Sequence, residues 1–90
     1  MTAVSREVAI TNQRGLHARA SAKFVNLATE LDQKIEVEKD GQKVCGTSIM
    51  GLMMLGAAKG DSIVIHVEGS GSEQALTRLV ELVEDRFGEE

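Results

Sequence analysis

A two-layer α+β domain is the fold class this chain predicts, on three observations. Four segments alternate apolar and polar residues at a period of two, two long segments repeat apolar residues at helical spacing, and turn-forming residues separate them. Long helices can cover one face of a four-stranded sheet, which buries both apolar surfaces against each other. The order along the chain reads strand, helix, strand, strand, short helix, strand, helix.

Each element has its own signal. Val4, Arg6, Val8 and Ile10 alternate with Ser5, Glu7 and Ala9, which predicts the first strand, and Asn12 to Gly15 forms a loop. From Ala18 to about Glu30 the positions Ala20, Phe24, Leu27 and Leu31 recur at helical spacing. Ala18, Ala22, Val25 and Ala28 widen that stripe, so a broadly buried helix is expected. Lys34 to Lys39 alternates through Ile35 and Val37, and Asp40-Gly41 tolerates the positive φ of a tight hairpin turn before Gln42 to Cys45. Ser48 offers a hydroxyl cap to the apolar run from Ile49, and Gly56 can close this short helix of about two turns in the left-handed conformation. Ile63, Ile65 and Val67 mark a strand over Ser62 to Glu68. Ser70 and Glu73 have capping-box spacing, and Leu76, Leu79, Val80, Val83 and Phe87 predict a helix running to the C-terminus, with Gly88 to Glu90 fraying.

Composition narrows the function. Ninety residues with 42% apolar content support one core, so a single domain over residues 1–90 is expected. The net charge of -4 and the scattered basic residues argue against a nucleic-acid partner. Cys45 is the sole cysteine, which excludes an internal disulfide and a cysteine-based zinc site and points to a reducing, cytoplasmic setting. No signal-peptide pattern or membrane-length apolar run occurs, and no membrane partner is expected. His17 and His66 have no acidic partners at metal-ligand spacing, so neither a metal nor a cofactor is expected. His66, on a strand, reads as structural, and Cys45 as a small hydrophobe at a strand end.

The segment Asn12-Gln13-Arg14-Gly15-Leu16-His17-Ala18-Arg19 carries the chemistry. It sets a histidine and an arginine at a predicted helix start, where the first backbone N–H groups, those of Ala18 and Arg19 among them, lack internal partners and favour an anion such as phosphate. His17 supplies a nucleophilic nitrogen, which the helix dipole should help keep unprotonated. Arg19 supplies a permanently charged fork for phosphoryl oxygens. Gly15 permits the conformation that presents the following residues.

Gly15-Leu16-His17-Ala18-Arg19 resembles the active-site motif of HPr, the histidine-containing phosphocarrier family of the bacterial phosphoenolpyruvate-dependent phosphotransferase system. Ser48 to Met53 and Leu55-Gly56-Ala57-Ala58-Lys59-Gly60 resemble the family's second signature, and the likeness covers nearly the whole chain. It implies an open-faced sandwich with three helices on one face of a four-stranded antiparallel sheet. It implies a phosphocarrier and no enzyme in the ordinary sense: His17 takes a phosphoryl group on Nδ1 from phosphorylated enzyme I and passes it to enzyme IIA-type acceptors in sugar transport. A monomer is expected. Where the family usually has proline after the arginine, this chain has Ala20, which adds a donor N–H to the helix start. The resemblance also makes Ser48 a regulatory phosphorylation site for an HPr kinase/phosphorylase, and Ile49, Met50 and Met53 partner-docking residues, which leaves Leu52 and Met54 for the core. The alternative is a regulatory interaction module of a nitrogen-related phosphotransferase system, controlled by phosphorylation at His17 and Ser48.

Overall fold

The computed structural model describes residues 3–89. Within them run β1 (Ala3–Ala9), α1 (Ala18–Glu30), β2 (Lys34–Lys39), β3 (Gln42–Cys45), α2 (Ile49–Met54), β4 (Ser62–Glu68) and α3 (Ser72–Glu84), followed by a single 3-10 turn over Arg86–Gly88. The strands form one antiparallel sheet in the order β1-β4-β2-β3. The helical crossovers therefore put β4 in the interior, between β1 and β2. This is the predicted α+β open-faced sandwich, with three helices on one face.

Register explains which alternation matters. Val4 pairs with Val67 and Val8 with Ile63 across β1 and β4, while Ile35 pairs with Val67 and Val37 with Ile65 across β2 and β4. Ile35, Val37, Ile63, Ile65, Val67 and Val8 are buried, so every second residue faces the helices. Arg6 shares that parity but stays exposed, as a long charged side chain on an edge strand can. The β2–β3 turn places Asp40 at φ 52° and Gly41 at φ 82°, the pair of positive φ values that a type I′ hairpin turn requires.

Four expectations need correction. The buried seam of α1 is narrower than its apolar content suggested: Ala20, Ser21, Phe24 and Ala28 are buried, Ala18 is exposed, and Val25, Leu27 and Leu31 are only partly covered. The neighbouring helices cover one line along α1, and a serine replaces an apolar residue there because Ser21 Oγ donates to the Leu16 carbonyl at 3.2 Å. The Ser70–Glu73 capping box does not form. The chain enters α3 through Gly71 at φ 76°, and the Ser70 carbonyl accepts from Gln33 Nε2, so a tertiary hydrogen bond sets the helix start one residue later. Cys45 is exposed, and its thiol exchanges a hydrogen bond with Thr47 Oγ1 at 3.0 Å, which holds it below the usual thiol range.

The C-terminus departs furthest. Helix α3 stops at Glu84, and Arg86, Phe87 and Gly88 all take left-handed φ values of 57°, 56° and 73°. Each such non-glycine residue costs on the order of 1–2 kcal/mol. Complete burial of the Phe87 ring offsets that cost, and Lys23 Nζ donates to the Phe87 carbonyl at 2.7 Å from α1. Gly88 and Glu89 are therefore placed, not frayed, while Glu90 lies outside the described residues.

Candidate functional site

The loop between β1 and α1 is stapled to the segment after α2. Ile10 N–H donates to the Asp61 carbonyl at 2.8 Å, Gly60 N–H to the Ile10 carbonyl at 2.9 Å, and Leu16 N–H to the Ala57 carbonyl at 2.9 Å. Gly15 sits at φ 64° against this segment, where a Cβ would lie inside contact distance of the Ala57 carbonyl oxygen and 2.8 Å from Ala58 Cα. Fully buried Asn12 donates to the Gly15 carbonyl at 2.9 Å. These bonds deliver His17 to the mouth of α1 in an extended conformation, φ -75° and ψ -178°.

His17 is itself the N-cap. Its carbonyl accepts from Ser21 N–H at 2.9 Å and its ring Nδ1 accepts from Arg19 N–H at 3.3 Å, so the imidazole takes the place of the usual hydroxyl or carboxylate cap. The ring is one-fifth exposed. It lines an open concavity of about 460 Å³ together with Gln13, Arg14, Arg19, Lys23, Gly88 and Glu89. Three cations thus converge on the mouth of a helix that already favours anions, and its first turn holds no acidic residue. Ala18 and Arg19 lie together at this mouth with His17, as their spacing predicted.

Sequence reasoning missed Glu89 and Lys23, and read Asn12 only as part of the loop. Glu89 Oε2 lies 2.7 Å from His17 Nε2, and Glu89 Oε1 accepts from Asn12 Nδ2 at 3.3 Å. Burial pushes the Glu89 carboxyl up, but the hydrogen bonds from His17 and Asn12, with the nearby charges of His17 and Lys23, outweigh it and leave the group below its ordinary value. Periodicity carries no trace of this contact, since 72 residues separate the partners.

The second predicted region is built on α2, which packs against α1. Ser48 caps it as predicted, with Oγ accepting from Gly51 N–H at 2.9 Å, and Gly56 closes it at φ 66°. Ser48→Ala should cost about 1 kcal/mol and lower the melting temperature by about 4–8 °C; a thermal melt showing no change would mean that water replaces the hydroxyl at no cost. Leu52 is buried, whereas Ile49, Met50, Met53 and Met54 are 40%, 70%, 42% and 69% exposed. Met54 is therefore not a core residue: a helix of six residues resting on the domain by one side buries a single large side chain. The exposed patch is larger than predicted by one methionine.

Elsewhere, His66 Nε2 lies 2.8 Å from Glu38 Oε1 on the open face of the sheet, a cross-strand pair. Among the described residues no group of three or more His, Cys, Asp or Glu could hold a metal ion, and no helix is long and apolar enough to cross a membrane.

A cap-position histidine beside three cations, on an open-faced α+β sandwich with a methionine-rich patch on an adjoining helix, is the arrangement of a small phosphocarrier protein. The family model described as the PTS HPr component phosphorylation site matches residues 4–85. The chain belongs to the HPr family of phosphocarrier proteins of the bacterial phosphotransferase system. It is 45% identical over 84 residues to phosphocarrier protein HPr of Pseudomonas aeruginosa, covering 92% of this chain and 93% of that one. It is also 37% identical over 89 residues to phosphocarrier protein NPr of Shewanella violacea, covering 99% and 98%. The crystal structure of HPr from Thermoanaerobacter tengcongensis superposes with a TM-score of 0.89 at 44% identity, over 100% of this chain and 99% of that one.

Proposed function

We propose that this chain, working as one domain, accepts a phosphoryl group on His17 Nδ1 from phosphorylated enzyme I and hands it to enzyme IIA-type acceptors. The observation that carries this reading is the position of Nδ1. It points at the first turn of α1 and, among the described residues, is engaged only by a long 3.3 Å contact to Arg19 N–H, which exchanges readily for a bond to a phosphoryl oxygen. Loading joins Nδ1 to phosphorus as the donor's own P–N bond breaks. The amides of Ala18 and Arg19, the Arg19 guanidinium and the helix dipole then hold the phosphoryl oxygens. An open site keeps the group accessible to the next acceptor, and the exposed Ile49, Met50 and Met53, joined by Met54, supply an adaptable docking surface.

Incubation with phosphoenolpyruvate and enzyme I should yield one acid-labile, base-stable phosphate, absent in His17→Ala. Arg19→Gln should slow loading about 10- to 100-fold, the equivalent of one charge-assisted hydrogen bond. No adduct on the native chain would refute the carrier reading.

The likeness to a phosphocarrier protein NPr supports a second reading, a regulatory interaction module of a nitrogen-related system. In that case His17 loads but the acceptors of sugar transport stay unloaded. Ser48 is the place for regulation by an HPr kinase/phosphorylase: a phosphate there keeps an acceptor oxygen for Gly51 N–H while adding negative charge beside the docking patch.

A further inference from the structure

We infer that Glu89, held by Asn12, is a positioning residue that keeps the His17 proton on Nε2 through loading and unloading, so that Nδ1 is the nucleophile and the phosphoryl group can leave again. The inference rests on the reading that His17 Nδ1 is the acceptor.

Among the described residues the ring has one polar partner on each side. Nδ1 faces Arg19 N–H, which can only donate, so Nδ1 must present its lone pair. Nε2 faces the Glu89 carboxylate, which when ionised can only accept, so Nε2 must carry the proton. A single neutral tautomer satisfies both contacts. A carboxylate on the far nitrogen of a histidine orients the ring and raises the basicity of the near one, as in metal-bound and triad histidines.

The carboxylate is itself fixed. Asn12 is fully buried, and its amide nitrogen donates both to the Gly15 carbonyl at 2.9 Å and to Glu89 Oε1 at 3.3 Å. The amide therefore ties the C-terminus to the loop that presents His17. The buried Phe87 ring and the bond from Lys23 to the Phe87 carbonyl hold the chain two residues upstream.

The consequence for phosphoryl transfer is electronic. When the Nδ1 lone pair bonds to phosphorus, the donor nitrogen keeps the electron pair of the bond that breaks, and Nε2 retains its proton. The loaded ring is then cationic, and the carboxylate 2.7 Å from Nε2 offsets that charge. On unloading, the pair of the N–P bond returns to Nδ1 and the starting tautomer reappears, with no proton exchanged. Without the Nε2 proton the leaving group would be an imidazolate, a far poorer one. Arg14 and Arg19, with Lys23 on α1, face the same concavity and oppose a cationic ring, and Glu89 is the one acidic side chain among its described lining residues.

The carboxylate thus favours the protonated loaded ring and raises the pH at which phosphohistidine loses its Nε2 proton. Glu89→Gln, which can still accept from Nε2–H, should keep the tautomer but shift the alkaline limb of onward transfer down by about one pH unit, the low end for loss of an adjacent opposite charge. Glu89→Ala should do both. The test is 15N NMR of histidine-labelled, unloaded protein above neutral pH, together with the pH profile of onward transfer from loaded protein. A native spectrum of the Nε2–H form that becomes a mixture of tautomers in Glu89→Ala supports the inference. Superposable spectra and profiles in native protein and both variants overturn it. The spectra need no phosphate, so failure of the native chain to load would instead overturn the carrier reading and leave the tautomer result standing.

Discussion

Gly15→Ala is expected to destabilise the domain by about 2–4 kcal/mol and to slow loading at His17 as well. The first part is conformational: at φ 64° an alanine costs about 1 kcal/mol relative to glycine. The second is steric, since the new methyl would overlap the Ala57 carbonyl and Ala58 Cα, both backbone atoms that no side-chain rotation can move. Overpacking of this kind costs typically 1–3 kcal/mol. The relief available is to pull the loop away from residues 57–58, which stretches the Leu16 N–H bond to the Ala57 carbonyl and displaces the His17 ring two residues on. Gly41→Ala is the control, because Gly41 is also left-handed at φ 82° but a methyl there meets open space. Urea denaturation should give the full loss for Gly15→Ala and about 1 kcal/mol for Gly41→Ala. Equal losses would show that backbone strain alone is responsible and that the close approach contributes nothing.

Phe87→Ala should cost about 3–5 kcal/mol, the usual range for a fully buried phenylalanine. That is a large fraction of the 5–15 kcal/mol expected for a whole domain. Phe24, equally buried on α1, should cost a similar amount, but the two losses act differently on the site. Removing Phe87 takes away the anchor that offsets two left-handed residues, and the segment carrying Glu89 should detach from His17 and Asn12. Glu89 is held below its ordinary value in the native fold, so its contribution to stability is present above the ordinary glutamate range and is lost as pH falls through the lowered folded value. In Phe87→Ala this acid-side loss should vanish and the Glu89 carboxyl, followed by 13C NMR, should titrate in the ordinary range; in Phe24→Ala it should stay low. A depressed Glu89 in both variants would mean that the Asn12 and His17 contacts hold the C-terminus without the ring.

Most of the fold was legible because its signals are local. Alternation through Ile63, Ile65 and Val67 needs no knowledge of the partner strands, Asp40-Gly41 states its own turn, and Ser48 and Gly56 bracket α2 by the chemistry of helix ends. The placement of His17 and Arg19 was legible for the same reason: both lie at the start of their own helix. Failures came wherever a distant part of the chain decides. Met54 and Leu52 are both apolar, two residues apart on a short helix, and only the docking direction of α2 tells which is covered. Ser70 has the composition of a cap, but Gln33, 37 residues away, claims its carbonyl. Phe87 fits the helical period of α3 and is buried as that period suggests, yet the chain leaves the helix at Asp85 to bury it.

By itself the sequence determined the α+β sandwich, the extent of nearly every element, and a histidine and arginine at a helix mouth, since each depends on spacing within a few residues. Only the tertiary structure decided that the C-terminal turn brings Glu89 to His17 Nε2, that Asn12 holds it there, and that four apolar side chains of α2 remain outside. Those outcomes depend on how packed elements meet in space, and a contact across 72 residues leaves no pattern in the residues between.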